Sequence, residues 1–204
     1  MTTHETILTM RNISKGFAGV QALKDVQLTL RKGEVHALMG ENGAGKSTLM
    51  KCLIGVYQAD CGEIIYKGKP VNFHSVLDAQ HQGISMIFQE LNLIPHLTVA
   101  ENIFFAREPI KFGMVDKAKM NKDAEALLSL FDIDVKPTEE VRTLSVAKQQ
   151  MVEIAKALSF DVEVLIMDEP TSALTEKEID KLFELVNKLR AKGVSIVYIS
   201  QIGR

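Results

Sequence analysis

Apolar positions along this chain recur with two different periods, two residues in some stretches and close to four in others. Short apolar or alternating runs near 7–13 and 24–30 predict strands, and "EVHALMG" at 34–40 predicts a buried strand ending in glycine. A helix is expected from Lys46, another strand at 63–66, and a buried strand in "GISMIF" at 83–88 that enters a polar turn. From about Val99 the spacing turns helical, with Ala124, Leu127, Leu128 and Phe131 on one face and Met151, Ile154, Ala155 and Leu158 on another. The middle third therefore reads as mostly helix.

The pattern then changes back. "VEVLIMD" at 162–168 is a strand, residues 176–191 form a helix with Ile179, Leu182, Phe183, Leu185, Val186 and Leu189 on its apolar face, and "VSIVYIS" is a strand again. Strand, helix, strand in that order is a βαβ unit and implies a parallel sheet. The final stretch, "SIVYISQIGR", has the apolar density of a strand buried on both faces, yet nothing after it in this sequence is there to cover it. With no repeat, low-complexity tract or long linker, the whole reads as one α/β domain, its core at 1–88 and 161–204 and a helical insertion at about 89–160.

Composition narrows the class. The 204 residues are 46% hydrophobic and 25% charged, enough to bury a substantial core. The formal net charge is -2 and the basic residues are scattered, so no stripe suited to a phosphate backbone is present and nucleic acid is not an expected partner. No run approaches the ~18–20 apolar residues needed to span a bilayer, and the start lacks the pattern of a leader, which places the expected site of action in the cytoplasm. Cys52 and Cys61 have neither CxxC spacing nor a nearby His, and the nine Met lie mostly in apolar stretches, so both types read as packing residues.

The chemistry begins with "GENGAGKST", Gly40 to Thr48, which fits G-x-x-x-x-G-K-[ST] and stands between an expected strand and an expected helix. Glycines at 40, 43 and 45 let the backbone curl so that the N–H groups around Glu41, Asn42 and Ala44 point inward, and the following helix adds its positive end. Such a loop cradles phosphates. Lys46 would reach the β- and γ-phosphates, the Ser47 hydroxyl would bind Mg²⁺, and Thr48 would make a further phosphate contact. "VLIMDEP" supplies the carboxylates: Asp168 to hold Mg²⁺, mostly through water, and Glu169 to orient and deprotonate an attacking water. In a parallel sheet both segments end at the same edge. Alone, an acidic pair after a strand would equally cap a helix.

With these residues in place the chain resembles the ATP-binding cassette (ABC) ATPases, and within them the ATP-hydrolysing subunits of bacterial monosaccharide importers. "QELNLIPHLTVAENI", "QQMVEIAKAL" and "MDEPTSALTEKEID" are similar to the sugar-importer branch, and "FHSVLDAQHQGISM" leans toward its galactose-type members. The resemblance implies a P-loop NTPase core with an antiparallel β subdomain and a helical subdomain. It implies ATP and Mg²⁺ as ligands, Phe17 as the aromatic stacked on adenine, and Gln89 as the Q-loop residue linking the Mg²⁺ site to the membrane partner. The expected partners are a permease, engaged through the Q-loop and helical region, a second cassette with an intact signature and, indirectly, a periplasmic sugar-binding protein. The implied location is the cytoplasmic face of the inner membrane.

Two departures qualify the resemblance. The family's LSGGQ signature appears as Leu144-Ser145-Val146-Ala147-Lys148, so Ser145 remains while both glycines are replaced, and the Cβ of Ala147 is expected to crowd an approaching γ-phosphate. The family's switch His is Gln201 here, whose amide could donate to phosphate but cannot handle protons as His does. Together with the uncovered last strand, these imply the first cassette of a longer ATPase, lacking the end of its core. The competing expectation is an ATP-binding fragment with little turnover. A DNA-repair ATPase is disfavoured by the charge balance, and a GTPase by the absence of N-K-x-D.

Overall fold

The computed structural model describes residues 5–172 and 174–201. In chain order its elements begin with β1 (Thr6–Phe17), β2 (Val20–Arg31), β3 (Val35–Gly40), α1 (Lys46–Leu53), β4 (Cys61–Tyr66), β5 (Lys69–Val71), α2 (Val76–His81) and β6 (Ile84–Ile87). They continue with α3 (Val99–Ile103), β7 (Ile110–Lys111), β8 (Met114–Val115), α4 (Lys117–Leu130), α5 (Val146–Leu158), β9 (Val164–Asp168), α6 (Glu176–Ala191) and β10 (Ser195–Gln201). The chain divides into two compact units, one built from 1–86, 162–169 and 189–204, the other from 87–161 and 170–188.

The first unit holds two four-stranded sheets. One is antiparallel in the order β2-β1-β4-β5. The other has the order β3-β10-β9-β6, with β10 parallel to both β3 and β9. All five residues of β9 are buried, which is why its run of apolar side chains shows no alternation. β10 lies between two strands, and its Ile196, Val197 and Ile199 are fully buried. The expectation that "SIVYIS" lacks cover is therefore not met: pairing on both edges and packing on both faces enclose it. Exposure falls instead on β3, expected to be buried. It is an edge of its sheet, its residues alternate between exposed and half-buried, and Met39 is 58% exposed.

The second unit is mainly helical, and its helices start where the side chains allow. Thr98 and Glu101 form a reciprocal capping box on α3, Asp116 accepts from the Lys119 N–H to cap α4, and Ser145 accepts from the Lys148 N–H to cap α5. Leu182, Leu185 and Val186 on α6 are buried as the spacing predicts, whereas Phe183, assigned to the same face, is exposed. It sits one residue, about 100°, round the helix from Leu182, beyond the edge of the buried stripe. The helical reading of the middle third also missed the β7–β8 hairpin.

Candidate functional site

The phosphate-loop segment runs from the last residue of β3 into the first turn of α1. Gly43 and Gly45 have φ of +80° and +82°, the left-handed region, and a Cβ at Gly45 would meet the Ala22 carbonyl oxygen at 2.7 Å. Both reasons make glycine necessary there. Glu41, Asn42, Gly43 and Ala44 are exposed at the rim of the loop, while Lys46, Ser47 and Thr48 are half-buried at the start of α1. The Lys46 ammonium donates to the carbonyl oxygens of Gly40 at 2.6 Å and Glu41 at 2.8 Å, so it lies inside the curl of the loop.

Opposite Ser47 stands Asp168, the last residue of β9: the Ser47 hydroxyl donates to its Oδ1 at 3.1 Å. Two segments 121 positions apart thus meet at the carboxyl ends of parallel strands. Burial pushes the Asp168 carboxyl above the usual carboxylate range, with the Ser47 hydrogen bond opposing that shift and the neighbouring Glu169 reinforcing it. A hydroxyl beside a carboxylate is a hard-oxygen donor pair of the kind that takes Mg²⁺ when phosphate and water complete the shell.

Glu169 follows in left-handed backbone at φ +48°, a conformation that costs an L-residue about 1–3 kcal/mol and turns its side chain off the strand. Its N–H donates to the Ile199 carbonyl, and its two carboxylate oxygens accept from Gln201 Nε2 at 2.6 and 2.7 Å. Gln201 is also the β10 rung partner of Gly40, the first residue of the loop. The structure thus brings Gly40, Lys46, Ser47, Asp168, Glu169 and Gln201 to one sheet edge. Sequence reasoning pointed Gln201 at phosphate and missed its bond to Glu169.

Phe17 ends β1 half-exposed, edge-on to Tyr57 with ring centroids 5.0 Å apart and with the Lys15 ammonium 5.6 Å from its centroid. Lys15 is fixed in turn by Asp60 at 2.7 Å, which also accepts from the Gly16 N–H at 2.7 Å. Tyr57, Lys15 and Asp60 carried no sequence signal, since none belongs to a spaced motif.

Gln89 and Ser145 lie in the second unit, both exposed. Ser145 caps α5, and the next two residues point in different directions: Val146 is 49% exposed, whereas Ala147 is 9% exposed and lines a cavity of about 270 Å³ with Ile133, Met151 and Leu185. The crowding expected of Ala147 therefore does not arise from its methyl group. The helix phase turns that group inward and presents the branched side chain of Val146 instead.

In the same unit Glu153, half-buried on α5, accepts from the Asn92 N–H at 2.6 Å, and Lys156 one turn on donates to the Asn92 carbonyl at 3.2 Å. The loop following Gln89 is thereby tied to α5 at a single residue.

The sequence pattern of the ABC transporter family matches residues 23–172. The chain is 53% identical, over 96% of its length, to the galactose/methyl galactoside import ATP-binding protein MglA of Pasteurella multocida. It is 57% identical over 96% of its length to a putative ribose/galactose/methyl galactoside import ATP-binding protein of Ralstonia nicotianae. It spans 39% and 38% of the length of these two relatives. Among solved structures it is similar to the ADP conformation of an ATP-binding cassette of an ABC transporter, with a TM-score of 0.85 at 27% identity, covering 98% of this chain and 82% of that one. A dimeric bacterial ABC transporter cassette gives 0.80 at 27% identity, covering 95% and 88%. With the strand, glycine loop, helix and acidic strand end assembled as they are here, the chain belongs to the ABC transporter family.

Proposed function

We propose that this chain is the ATP-binding cassette of a bacterial monosaccharide importer of the galactose or ribose type, binding Mg·ATP and coupling its hydrolysis to transport through a membrane permease. The observation that carries the reading is the Ser47–Asp168 contact at 3.1 Å beside a loop whose Lys46 points inward. Support for the sugar comes from the two relatives, one a galactose/methyl galactoside and the other a putative ribose/galactose/methyl galactoside import ATP-binding protein.

In this reading the N–H groups of residues 41–46 and the start of α1 hold the phosphates, and Lys46 leaves its two carbonyl partners for phosphate oxygens. Ser47 and Asp168 would hold Mg²⁺, which when bound neutralises phosphate charge. Glu169 accepts the proton of the attacking water, and Gln201 fixes the carboxylate that does so. Phe17 offers its face to adenine, with Tyr57 setting the ring's tilt. Gln89 reports the state of the Mg²⁺ site toward the permease, and Ser145 faces the phosphates of a second cassette. That arrangement puts the chain at the cytoplasmic face of the inner membrane, with a periplasmic binding protein acting through the permease.

The test is a calorimetric titration with ATP in the presence and absence of Mg²⁺, run on the parent and on Asp168→Asn. Binding that Mg²⁺ strengthens in the parent and not in the variant is expected. ATP binding by neither protein would overturn the proposal.

A further inference from the structure

Phe17 ends β1 and leads through the two-residue turn Ala18-Gly19 into β2, a hairpin tip where a ring 39% exposed would be free to swing. Its surroundings restrict it. Asp60, in the segment between α1 and β4, uses both carboxylate oxygens on the two residues before the ring: Oδ1 accepts from the Lys15 ammonium and Oδ2 from the Gly16 N–H, each at 2.7 Å. The Asp60 N–H donates in turn to the Ser14 carbonyl at 2.8 Å, which pins residue 60 to β1. Held in this way, the Lys15 ammonium lies 5.6 Å from the Phe17 ring centroid, within reach of cation–π attraction, while Tyr57 packs against the same ring at 5.0 Å.

These groups share a frame with the phosphate loop. Tyr57 follows α1, whose first turn carries Lys46 and Ser47, and its N–H donates to the Lys51 carbonyl of that helix at 3.1 Å. From the other side Gly45 lies against Ala22, and Val20, the rung partner of Phe17, stands two residues back along β2, about 7 Å from that contact. The separation is on the scale of the ribose that joins a base to its phosphates.

Global stability does not account for the Lys15–Asp60 pair. The two side chains are 17% and 49% exposed, and an ion pair this open to solvent contributes little to folding. Its consequence is local. An aromatic whose direction is already set loses little freedom when a purine stacks on it, whereas an unrestrained one must be ordered on binding.

We infer that Asp60 and Lys15 are positioning residues for recognition of the nucleotide base, the carboxylate aiming the ammonium and the ammonium fixing the Phe17 ring for a purine. This rests on the reading of Phe17 as the adenine contact and adds the two residues that hold it in place. The test is calorimetric titration with Mg·ATP and with Mg·tripolyphosphate, which has the phosphates and no base, alongside thermal denaturation. Asp60→Asn and Lys15→Met should each weaken Mg·ATP about threefold, leaving tripolyphosphate binding and the thermal midpoint as in the parent. The double variant should lose no more than either single one, because both act through one ring. Phe17→Ala should weaken Mg·ATP about tenfold. If either Asp60→Asn or Lys15→Met keeps the parental ATP affinity while Phe17→Ala loses it, the positioning inference falls and the adenine reading stands. Parental affinity in Phe17→Ala overturns both. Equal losses for the two ligands, a lowered thermal midpoint, or additive losses in the double variant would make the pair a structural brace and overturn the inference. A parent that binds no ATP overturns the nucleotide reading with it.

Discussion

The amide nitrogen of Gln201 sits 2.6 and 2.7 Å from the two carboxylate oxygens of Glu169, so one neutral group restrains both ends of the proposed base. A donor shared by both carboxylate oxygens fixes the direction of the group. Gln201→Ala, assayed in an assembled transporter, is expected to lower kcat about tenfold with little change in KM, since its effect on the reacting water passes through Glu169. An unchanged kcat would mean that the contact is idle. Glu169→Gln should retain ATP and lose about 10²- to 10⁴-fold in hydrolysis, measured by phosphate release.

Lys46 has two tasks in the same loop. It should be the principal charge on the phosphates, and it closes the loop by holding the Gly40 and Glu41 carbonyls. Lys46→Ala is expected to weaken ATP binding by about a hundredfold or more in calorimetry. Hydrogen exchange at residues 41–45 should rise even without nucleotide, because the tie across the loop is gone.

Asp168 carries a testable pH dependence. Its pKa is raised by burial, so its contribution to stability is complete below the ordinary value of 3.8 and is lost as the pH rises through the higher value it has in the fold. Without metal, Asp168→Asn should therefore melt at or above the parent temperature at pH 7, since the amide oxygen can still accept from Ser47. The difference should close as the pH falls to about 4. With Mg²⁺ and ATP the order should reverse.

Glu153 tests the tie to Asn92. Glu153→Ala removes the acceptor of the Asn92 N–H and should cost about 1 kcal/mol in thermal denaturation. Glu153→Gln keeps an acceptor and removes a carboxyl whose pKa burial raises above 4.5. That variant should match or exceed the parent at neutral pH and lose the advantage below pH 4.5, where the parent carboxyl is protonated too.

What the sequence made legible were features whose signal is local. The glycine loop, the buried β9 run, the stripes of α5 and α6 and the β10 strand each declare themselves within a dozen residues. β3 did not, because a largely apolar hexamer looks the same at a sheet's edge as at its centre, and only its neighbours decide exposure. The hairpin escaped because its strands are two residues long and its turn has Phe where Asn would have marked it. The inward methyl of Ala147 depends on helix phase, which the signature motif does not encode. The Gln201–Glu169 contact joins residues 32 positions apart, and no spacing rule predicts it.

The sheet order also bears on how the site comes into being. β3, which delivers the phosphate loop, pairs directly with β10, and just ahead of that pairing the Gly33 N–H donates to Ser195 Oγ across 162 positions of sequence. Loop-closure entropy must be met before so distant a pairing returns anything, which makes parallel registers of this kind slow to form. A cradle built on them matures late, after most local structure is present. During refolding, the recovery of nucleotide binding should therefore lag behind the recovery of helical circular dichroism, and the site acts as a clock for completion of the sheet.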